Sequence, residues 1–462
     1  MKIGFVSLGC PKNLVDSEVM MGALEARGHE LVNDPDEAEA LVVNTCSFID
    51  PAKQESIETI LEMAEYKKSG KAQRLVVAGC LVERYRDELR QQIPEVDAVV
   101  GTNELQDIVT HCEGRRVAGG KAEPYLYHDL TFRRLASPRH LAYIKINEGC
   151  DHPCTFCLIP QFRGGFRSRR FESVVREATR LFRSGIREIN LIGQDTTAYG
   201  EDLGIKNGLP SLLDRLARIE GAGWIRFLYA YPNRVTQRLL DTIAEHRTIC
   251  GYIDIPLQHS SADVLKRMKR GASGDVFLKM IERIRRTIPD VGIRTTFIVG
   301  FPGETEDDFN QLCRFVEAAK FEHIGVFGYS DDEHIGSYHL DNKVPPGVIY
   351  RRKRRLMAIQ RKISRRRNQA LVGKRFRILV KGPSAESDLL WEGRLETQAE
   401  EIDGTTYIVD VEGEMPRPGD FGEIRISRAG DYDLFGKLES VEPTPESLPA
   451  ETVAPTWLPV LQ

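Results

Sequence analysis

Apolar residues in the first hundred positions fall into short runs that each stop at a cysteine: "KIGFVSLGC", "LVVNTC" and "RLVVAGC". Between these runs, Leu14–Arg27 and Ser56–Lys67 repeat apolar residues at helical spacing. This alternation predicts a doubly wound parallel α/β domain over residues 1–120, because βαβ crossovers lay helices on both faces of a parallel sheet. A longer alternation follows. Strand-like runs at Tyr143–Asn147, Glu188–Ile192, Ile225–Ala230, Tyr252–Ile255, Ile293–Val299 and Ile324–Tyr329 are separated by helical patterns that include Phe171–Ser184, Val235–His246, Ser261–Lys269 and Glu304–Ala319. Six βα units predict a partial (β/α)6 barrel within residues 136–367. Residues 368–437 change period again: "RFRILVKG", "LLWEGRLETQ", "TYIVDVEG" and "FGEIRISRAG" alternate with period two between Gly and Asp turns. They predict a small antiparallel, OB-like β-barrel. The fold class is therefore α/β multidomain, ending in a Pro-rich tail at residues 441–462 that has no Lys or Arg and reads as disordered, with Trp457 isolated in it.

Composition narrows the class. With 462 residues, 41% hydrophobic and 29% charged, the chain is long enough for several cores and ordinary for a soluble globular protein. No apolar run approaches the ~18 residues that span a bilayer, so the chain reads as cytoplasmic, with no membrane partner. Nine cysteines are too few for a disulfide scaffold in a chain of this length, and an odd number does not pair completely. The net charge of −4 conceals a segregation: about −8 over residues 1–120, about +13 over 121–367, about −6 over 368–440 and about −3 in the tail. Ten of the positive charges sit in Arg351–Arg367, where Leu356, Ile359 and Ile363 recur at helical spacing. This stretch predicts a linker helix packed on the barrel, with its charges on a solvated face; contact with RNA is the second reading of those charges.

The candidate chemistry lies in the cysteines. Cys150, Cys154 and Cys157 stand at C-x3-C-x2-C spacing in the loop after the first barrel strand, where such barrels carry their active sites. Thiolates select zinc or iron–sulfur clusters, and a four-iron cluster on three cysteines keeps one iron open. Cys10, Cys46 and Cys80 are 36 and 34 residues apart, too far for a local knuckle, but each follows a strand. The fold brings such positions together beyond the carboxyl ends of a parallel sheet. Two readings stand from position alone, a metal site or small buried residues at strand ends; the threefold repeat favours the site. Cys112, Cys250 and Cys313 show no such repeat and read as core.

With Phe156 just before Cys157, the cluster loop resembles that of the radical S-adenosylmethionine superfamily. "DIPLQHSSADVLKRMKRG" at Asp254–Gly271 and "RTTFIVGFPGETEDDF" at Arg294–Phe309 resemble its methylthiotransferase family, which also has an N-terminal three-cysteine domain and a C-terminal TRAM barrel. "LGCPKN" at Leu8–Asn13 and "LIGQDTTAYG" at Leu191–Gly200 are similar to the RimO-type branch, which modifies an aspartate of the twelfth small-subunit ribosomal protein. The resemblance implies two [4Fe-4S] clusters, one on Cys10, Cys46 and Cys80 and one on Cys150, Cys154 and Cys157. It also implies S-adenosyl-L-methionine as both radical source and methyl donor. An aspartate β-carbon has no acidic proton, so hydrogen-atom abstraction, then sulfur and methyl transfer, would give 3-methylthioaspartate. Phe156 would flank the adenine and Gly300 the nucleoside; the second reading of the Gly300 turn is a plain strand-to-helix connection. His152 reads as loop surface and His259 as a core or rim histidine. The implied partners are ribosomal protein twelve, free or within the 30S subunit, an electron donor and a sulfur source. The acidic small barrel suits a Lys/Arg-rich protein and disfavours the alternative substrate, a tRNA adenosine. A non-catalytic metal-binding assembly module is the reading from another class, and it leaves the paired three-cysteine sites unexplained.

Overall fold

The computed structural model describes residues 1–115, 124–385 and 387–442. Residues 443–462 of the predicted tail, Trp457 included, lie outside the described residues, and Val441 and Glu442 belong to the last strand.

In the N-terminal domain, β1 (Lys2–Ser7), β2 (Glu30–Val32), β3 (Ala40–Thr45), β4 (Arg74–Gly79) and β5 (Ala98–Val100) form a parallel sheet in the order β2-β1-β3-β4-β5. Val42, Val43, Val76 and Val77 are fully buried, as a parallel sheet covered on both faces requires. Helices α1 (Pro11–Ala26), α2 (Asp50–Ser69), α3 (Cys80–Gln92) and α4 (Ile108–Cys112) supply the cover. Helix α2 begins before the apolar pattern does, since Asp50 and Pro51 suit its first turn while remaining exposed.

The central domain has six parallel strands in chain order. They are β6 (Leu141–Lys145), β9 (Glu188–Ile192), β10 (Trp224–Phe227), β11 (Tyr252–Asp254), β12 (Gly292–Val299) and β13 (His323–Gly328), with a minor hairpin of β7 (Asn147–Glu148) and β8 (Arg167–Ser168) near the mouth. A bridge between Ile225 and Ile249 joins the two three-stranded halves, and β6 and β13 do not pair, so the barrel is partial. Its outer layer comprises α6 (Phe171–Arg183), α7 (Gly208–Ala217), α8 (Gln237–Glu245), α9 (Ala262–Arg267), α10 (Gly274–Thr287) and α11 (Glu306–Ala319), while the short α5 (Ile159–Arg163) packs on α3 of the N-terminal domain. Local chemistry sets several starts: Thr236 and Ser261 cap α8 and α9, and Thr305 with Asp308 makes a capping box on α11. Cys112, Cys250 and Cys313 are buried, as predicted.

Helix α12 (Pro346–Gln369) is the linker helix. It packs along β13 and α11 and reaches the small barrel at its end, with Leu356 buried and most of its arginines exposed. The small barrel, β14 (Arg375–Ser384), β15 (Ser387–Leu395), β16 (Thr406–Val411), β17 (Phe421–Ala429) and β18 (Leu434–Glu442), is closed in the order β14-β15-β16-β18-β17. All its pairs are antiparallel except β16–β18, which is parallel. This barrel seals the end of the central barrel where the strands begin. Trp224 meets Phe421 edge-on at 5.0 Å, Arg394 donates to Glu188 at 2.6 Å, and Asp403 accepts from Arg294 at 2.8 Å and Tyr252 at 2.7 Å. The opposite end, where the strands finish, faces the N-terminal domain. Among the described residues, no helix is long and apolar enough to cross a membrane.

Candidate active site

Cys10, Cys46 and Cys80 stand where expected, directly beyond β1, β3 and β4. Cys10 is the N-cap of α1 and Cys80 the first residue of α3, so two of the three thiols sit at helix N-termini. Gly9 turns the chain at φ +93°, and a Cβ there would lie 2.7 Å from Cys46 Cβ and 3.2 Å from its sulfur. The loop of Cys10 therefore runs against Cys46. Burial pushes the Cys46 thiol up to about 12, with the charges of Cys10 and Cys80 acting in the same direction. Burial likewise raises Cys80, opposed by Arg163. Such thiols hold their protons until a metal displaces them.

The second trio lies in the loop between β7 and α5. Gly149 has φ +76°, and a Cβ on it would fall 2.1 Å from Gly165 O, so the loop wraps closely on the Gly164–Gly165 backbone. Cys150 N donates to Gly164 O at 3.2 Å, Ile159 N donates to Cys157 Sγ at 3.5 Å, and Arg270 Nη1 stands 3.8 Å from Cys154 Sγ. Burial raises Cys150 to about 11 and Cys157 to about 12, and each feels the charge of its neighbours in the trio.

All nine cysteines are free, and among the described residues no three His, Cys, Asp or Glu side chains converge to hold a single metal ion. Two separate sets of three soft donors, the members of each close enough to feel one another's charge, suit by their chemistry polynuclear clusters that carry their own sulfide. The mouth fits a polar cofactor as well. Asn147 Oδ1, Gln194 Oε1 and Gln258 Oε1 are buried there without a hydrogen-bond partner among the described residues, and a Cβ on Gly193 would strike Asn147 Oδ1 at 1.9 Å. Polar atoms buried in this way call for a bound group.

Several residues the sequence reading missed join the two sites. Arg163, 2% exposed, donates from Nη2 to Asn13 Oδ1 at 2.6 Å and to Cys80 Sγ at 3.4 Å, and from Nη1 to Asp16 at 2.5 Å. Lys145 donates to both Asp16 and Glu148 at 2.5 Å. Asn13 donates to Leu8 O and Thr45 O, holding the ends of β1 and β3. Cys80 shares an apolar cluster with Leu158, Phe162 and Ile335, so the loop of the second trio abuts the first.

His152 is not loop surface: its Nε2 bonds Asp195 Oδ2 at 2.7 Å and its ring stacks on Tyr231 at 3.7 Å. Its apparent freedom in sequence vanishes because both partners arrive from later strand ends. His259 is fully buried, with Nδ1 accepting from Ser261 N at 3.0 Å and Nε2 unpartnered among the described residues; burial lowers it to about 3. Phe156 is half-buried against the main core. Gly300, at φ +81°, turns after β12; a Cβ there would meet Ile349 Cγ1 of α12 at 2.3 Å, and Glu304 accepts the backbone N–H groups of Gly300 and Phe301.

Comparisons agree with this division. Residues 2–101 match the family described as "Uncharacterized protein family UPF0004", 144–316 the Radical SAM superfamily and 372–438 the TRAM domain. Among solved structures, the radical S-adenosylmethionine methyltransferase TsrM from Kitasatospora setae, with cobalamin and a [4Fe-4S] cluster bound, shares the fold: TM-score 0.53 and 17% identity over 71% of this chain and 74% of that one. The ribosomal protein uS12 methylthiotransferase RimO of Solibacter usitatus (strain Ellin6076) is 69% identical over 448 residues, 96% of both chains. The protein of the same description from Koribacter versatilis (strain Ellin345) is 55% identical, over 95% of this chain and 96% of its own. With identity this high along almost its full length, and with both cysteine trios folded to the strand ends, the chain belongs to the ribosomal protein uS12 methylthiotransferase RimO family.

Proposed function

We propose that this protein methylthiolates the β-carbon of an aspartate in ribosomal protein uS12, giving 3-methylthioaspartate. The observation that carries the reading is the convergence of two free-cysteine trios on one mouth, linked by Arg163, within a chain 69% identical to a named uS12 methylthiotransferase. We assign one [4Fe-4S] cluster to Cys10, Cys46 and Cys80, and one to Cys150, Cys154 and Cys157. When bound, these clusters and S-adenosyl-L-methionine supply radical C–H activation and the sulfur and methyl groups.

The chain's own residues hold, orient and seal. Residues 1–120 carry the first trio and 136–367 the second, while the buried Asp16–Lys145–Glu148–Arg163 network fixes one against the other. Phe156 and the Gly300 turn are assigned to the nucleoside. The barrel at 368–437 seals the far end and keeps water out of the central strands. Part of its acidity is internal, since Asp403 and Glu400 bind Arg294, Arg394 and Lys381. Asp410, Glu412, Glu414 and Glu423 remain exposed and suit a basic protein better than a phosphate backbone. The reading requires an electron donor and a sulfur source as further partners and places the protein in the cytoplasm with the ribosome.

The test is mass spectrometry of uS12 and of bulk tRNA hydrolysates from cells with and without the gene. Loss of the methylthio group from the uS12 aspartate with unchanged tRNA is expected. Unmodified uS12 in both strains overturns the reading: altered tRNA would then point to the adenosine enzyme, and no change in either to a non-catalytic module.

A further inference from the structure

Eight Lys and Arg residues are buried among the described residues. Seven of them, including Lys145, Arg163 and Arg226, hold a carboxylate within 3.1 Å. Lys12 is the eighth. It is 8% exposed, and among the described residues no carboxylate lies within the 4.0 Å of a salt bridge to its Nζ. The nitrogen touches Gly193 O at 3.4 Å and lies 3.2 Å from the centre of the Tyr229 ring. Cys10 acts on it first, and two carboxylates act from longer range, both of them engaged elsewhere. Asp254 accepts Tyr229 N at 3.0 Å, while Glu148 accepts Lys145 and Gln194, each at 2.5 Å. An ammonium has three donors, and burying one without an anion is costly. Lys12 retains donor capacity that the described residues do not use.

Its place gives that capacity a direction. Lys12 follows Cys10 by two residues, whereas Gly193 and Tyr229 lie just beyond β9 and β10 at the mouth of the central barrel. Tyr229 holds φ +64°, an uncommon backbone for a non-glycine residue that brings its ring under the ammonium. Its nitrogen thus stands between the first cysteine trio and the mouth. A substrate aspartate carries its carboxylate directly on the carbon to be functionalised, so an anchor for that carboxylate also aims the C–H bond.

We propose that Lys12 is the receptor for the substrate aspartate's carboxylate, holding the adjacent β-carbon at the mouth between the two cysteine trios. The inference rests on the uS12 reading above and adds the residue that distinguishes an acidic side chain from its amide. Charge-assisted hydrogen bonds are roughly twice as strong as neutral ones, and losing one costs roughly tenfold or more in affinity.

The holoenzyme, loaded with both clusters, is titrated with a uS12 loop peptide carrying the target aspartate and with the same peptide carrying asparagine. The unmodified enzyme is expected to prefer the aspartate peptide by roughly tenfold or more. Lys12→Met should abolish that preference and raise KM for uS12, with iron content and visible absorption retained, and Lys12→Arg should keep part of the preference. Equal affinity of the unmodified enzyme for the two peptides overturns the proposal without any variant. A Lys12→Met enzyme that weakens both peptides equally assigns the lysine to structure and also overturns it. If the unmodified holoenzyme leaves intact uS12 unmodified, the functional reading itself has failed, a result the peptide comparison does not produce.

Discussion

Replacing Arg163 with methionine removes one charged donor from the first trio while filling much the same buried space. The guanidinium stands 3.4 Å from Cys80 Sγ, and its charge is largely matched by Asp16 at 2.5 Å, so its effect on the sulfur is that of a hydrogen bond more than of a free charge. A hydrogen bond to a charged group contributes about 1.5–3 kcal/mol, and a contact as long as this one takes the lower end. The donor is held more tightly when the cluster carries an extra electron, because hydrogen bonds to sulfur stabilise the more negative state. Its loss should therefore lower the one-electron potential of the cluster on Cys10, Cys46 and Cys80 by the part of that strength gained on reduction, about 30 mV if half of it is gained and at most about 60 mV, the equivalent of about 1.4 kcal/mol. Asp16 keeps Lys145 at 2.5 Å, so the domain junction survives the change. The assay is a potentiometric titration followed by electron paramagnetic resonance, made in the Cys150→Ala background so that only this cluster reports. A shift under about 15 mV, small against the 59 mV of a tenfold change, would refute the reasoning. So would an equal shift of the other cluster in the complementary Cys46→Ala background, since Arg163 would then act on the fold and not on one sulfur.

Each trio should load independently. Cys46→Ala is expected to lose the iron of one cluster and all methylthiolation while still cleaving S-adenosylmethionine, and Cys150→Ala to lose that cleavage, both checked by iron analysis and product chromatography. Glu188, pulled below its ordinary 4.5 to about 2 by Arg394 and Arg226 against the opposing effect of burial, stabilises barrel docking at pH above about 4.5. That contribution disappears as the pH falls through about 2, so emission from Trp224, packed on Phe421 across the junction, should change in acid, and Glu188→Gln should remove the transition. Gly300→Ala should cost about 1–2 kcal/mol from its positive φ alone, plus the clash with Ile349. Rescue of thermal stability by Ile349→Ala, with S-adenosylmethionine affinity unmoved throughout, would assign the glycine to packing and remove it from the nucleoside site.

The three-part architecture and the placement of the six cysteines beyond strand ends were legible because each rests on local pattern. Apolar runs ending at Cys10, Cys46 and Cys80 announce strand ends of one sheet, and the spacing of Cys150, Cys154 and Cys157 needs no tertiary information. The placement of Arg163 and Lys12 beside the first trio was not legible. Arg163 gains its meaning from Asp16, 147 residues away, and Lys12 from Gly193, 181 residues away. Each is an ordinary surface-type residue until two domains dock, and no helical or strand period marks it. Lys12 did stand in the quoted "LGCPKN", but as a family marker without a physical role. His152 failed for the related reason that Asp195 and Tyr231 reach it from other loops. The acidic balance of residues 368–440 was counted correctly, yet net charge does not distinguish Asp403, held in the domain junction, from Asp410 on the surface.

The small barrel closes the end of the central barrel where the strands begin, and the cysteine trios lie where they finish. Six residues of β13 separate those ends by roughly 20 Å at about 3.3 Å per residue. The molecule is therefore a ruler. Any partner gripped by the outer face of the small barrel must extend a loop at least that far around the rim to present its side chain at the mouth. A folded protein with a protruding loop can satisfy both ends at once, whereas a short peptide can occupy only one.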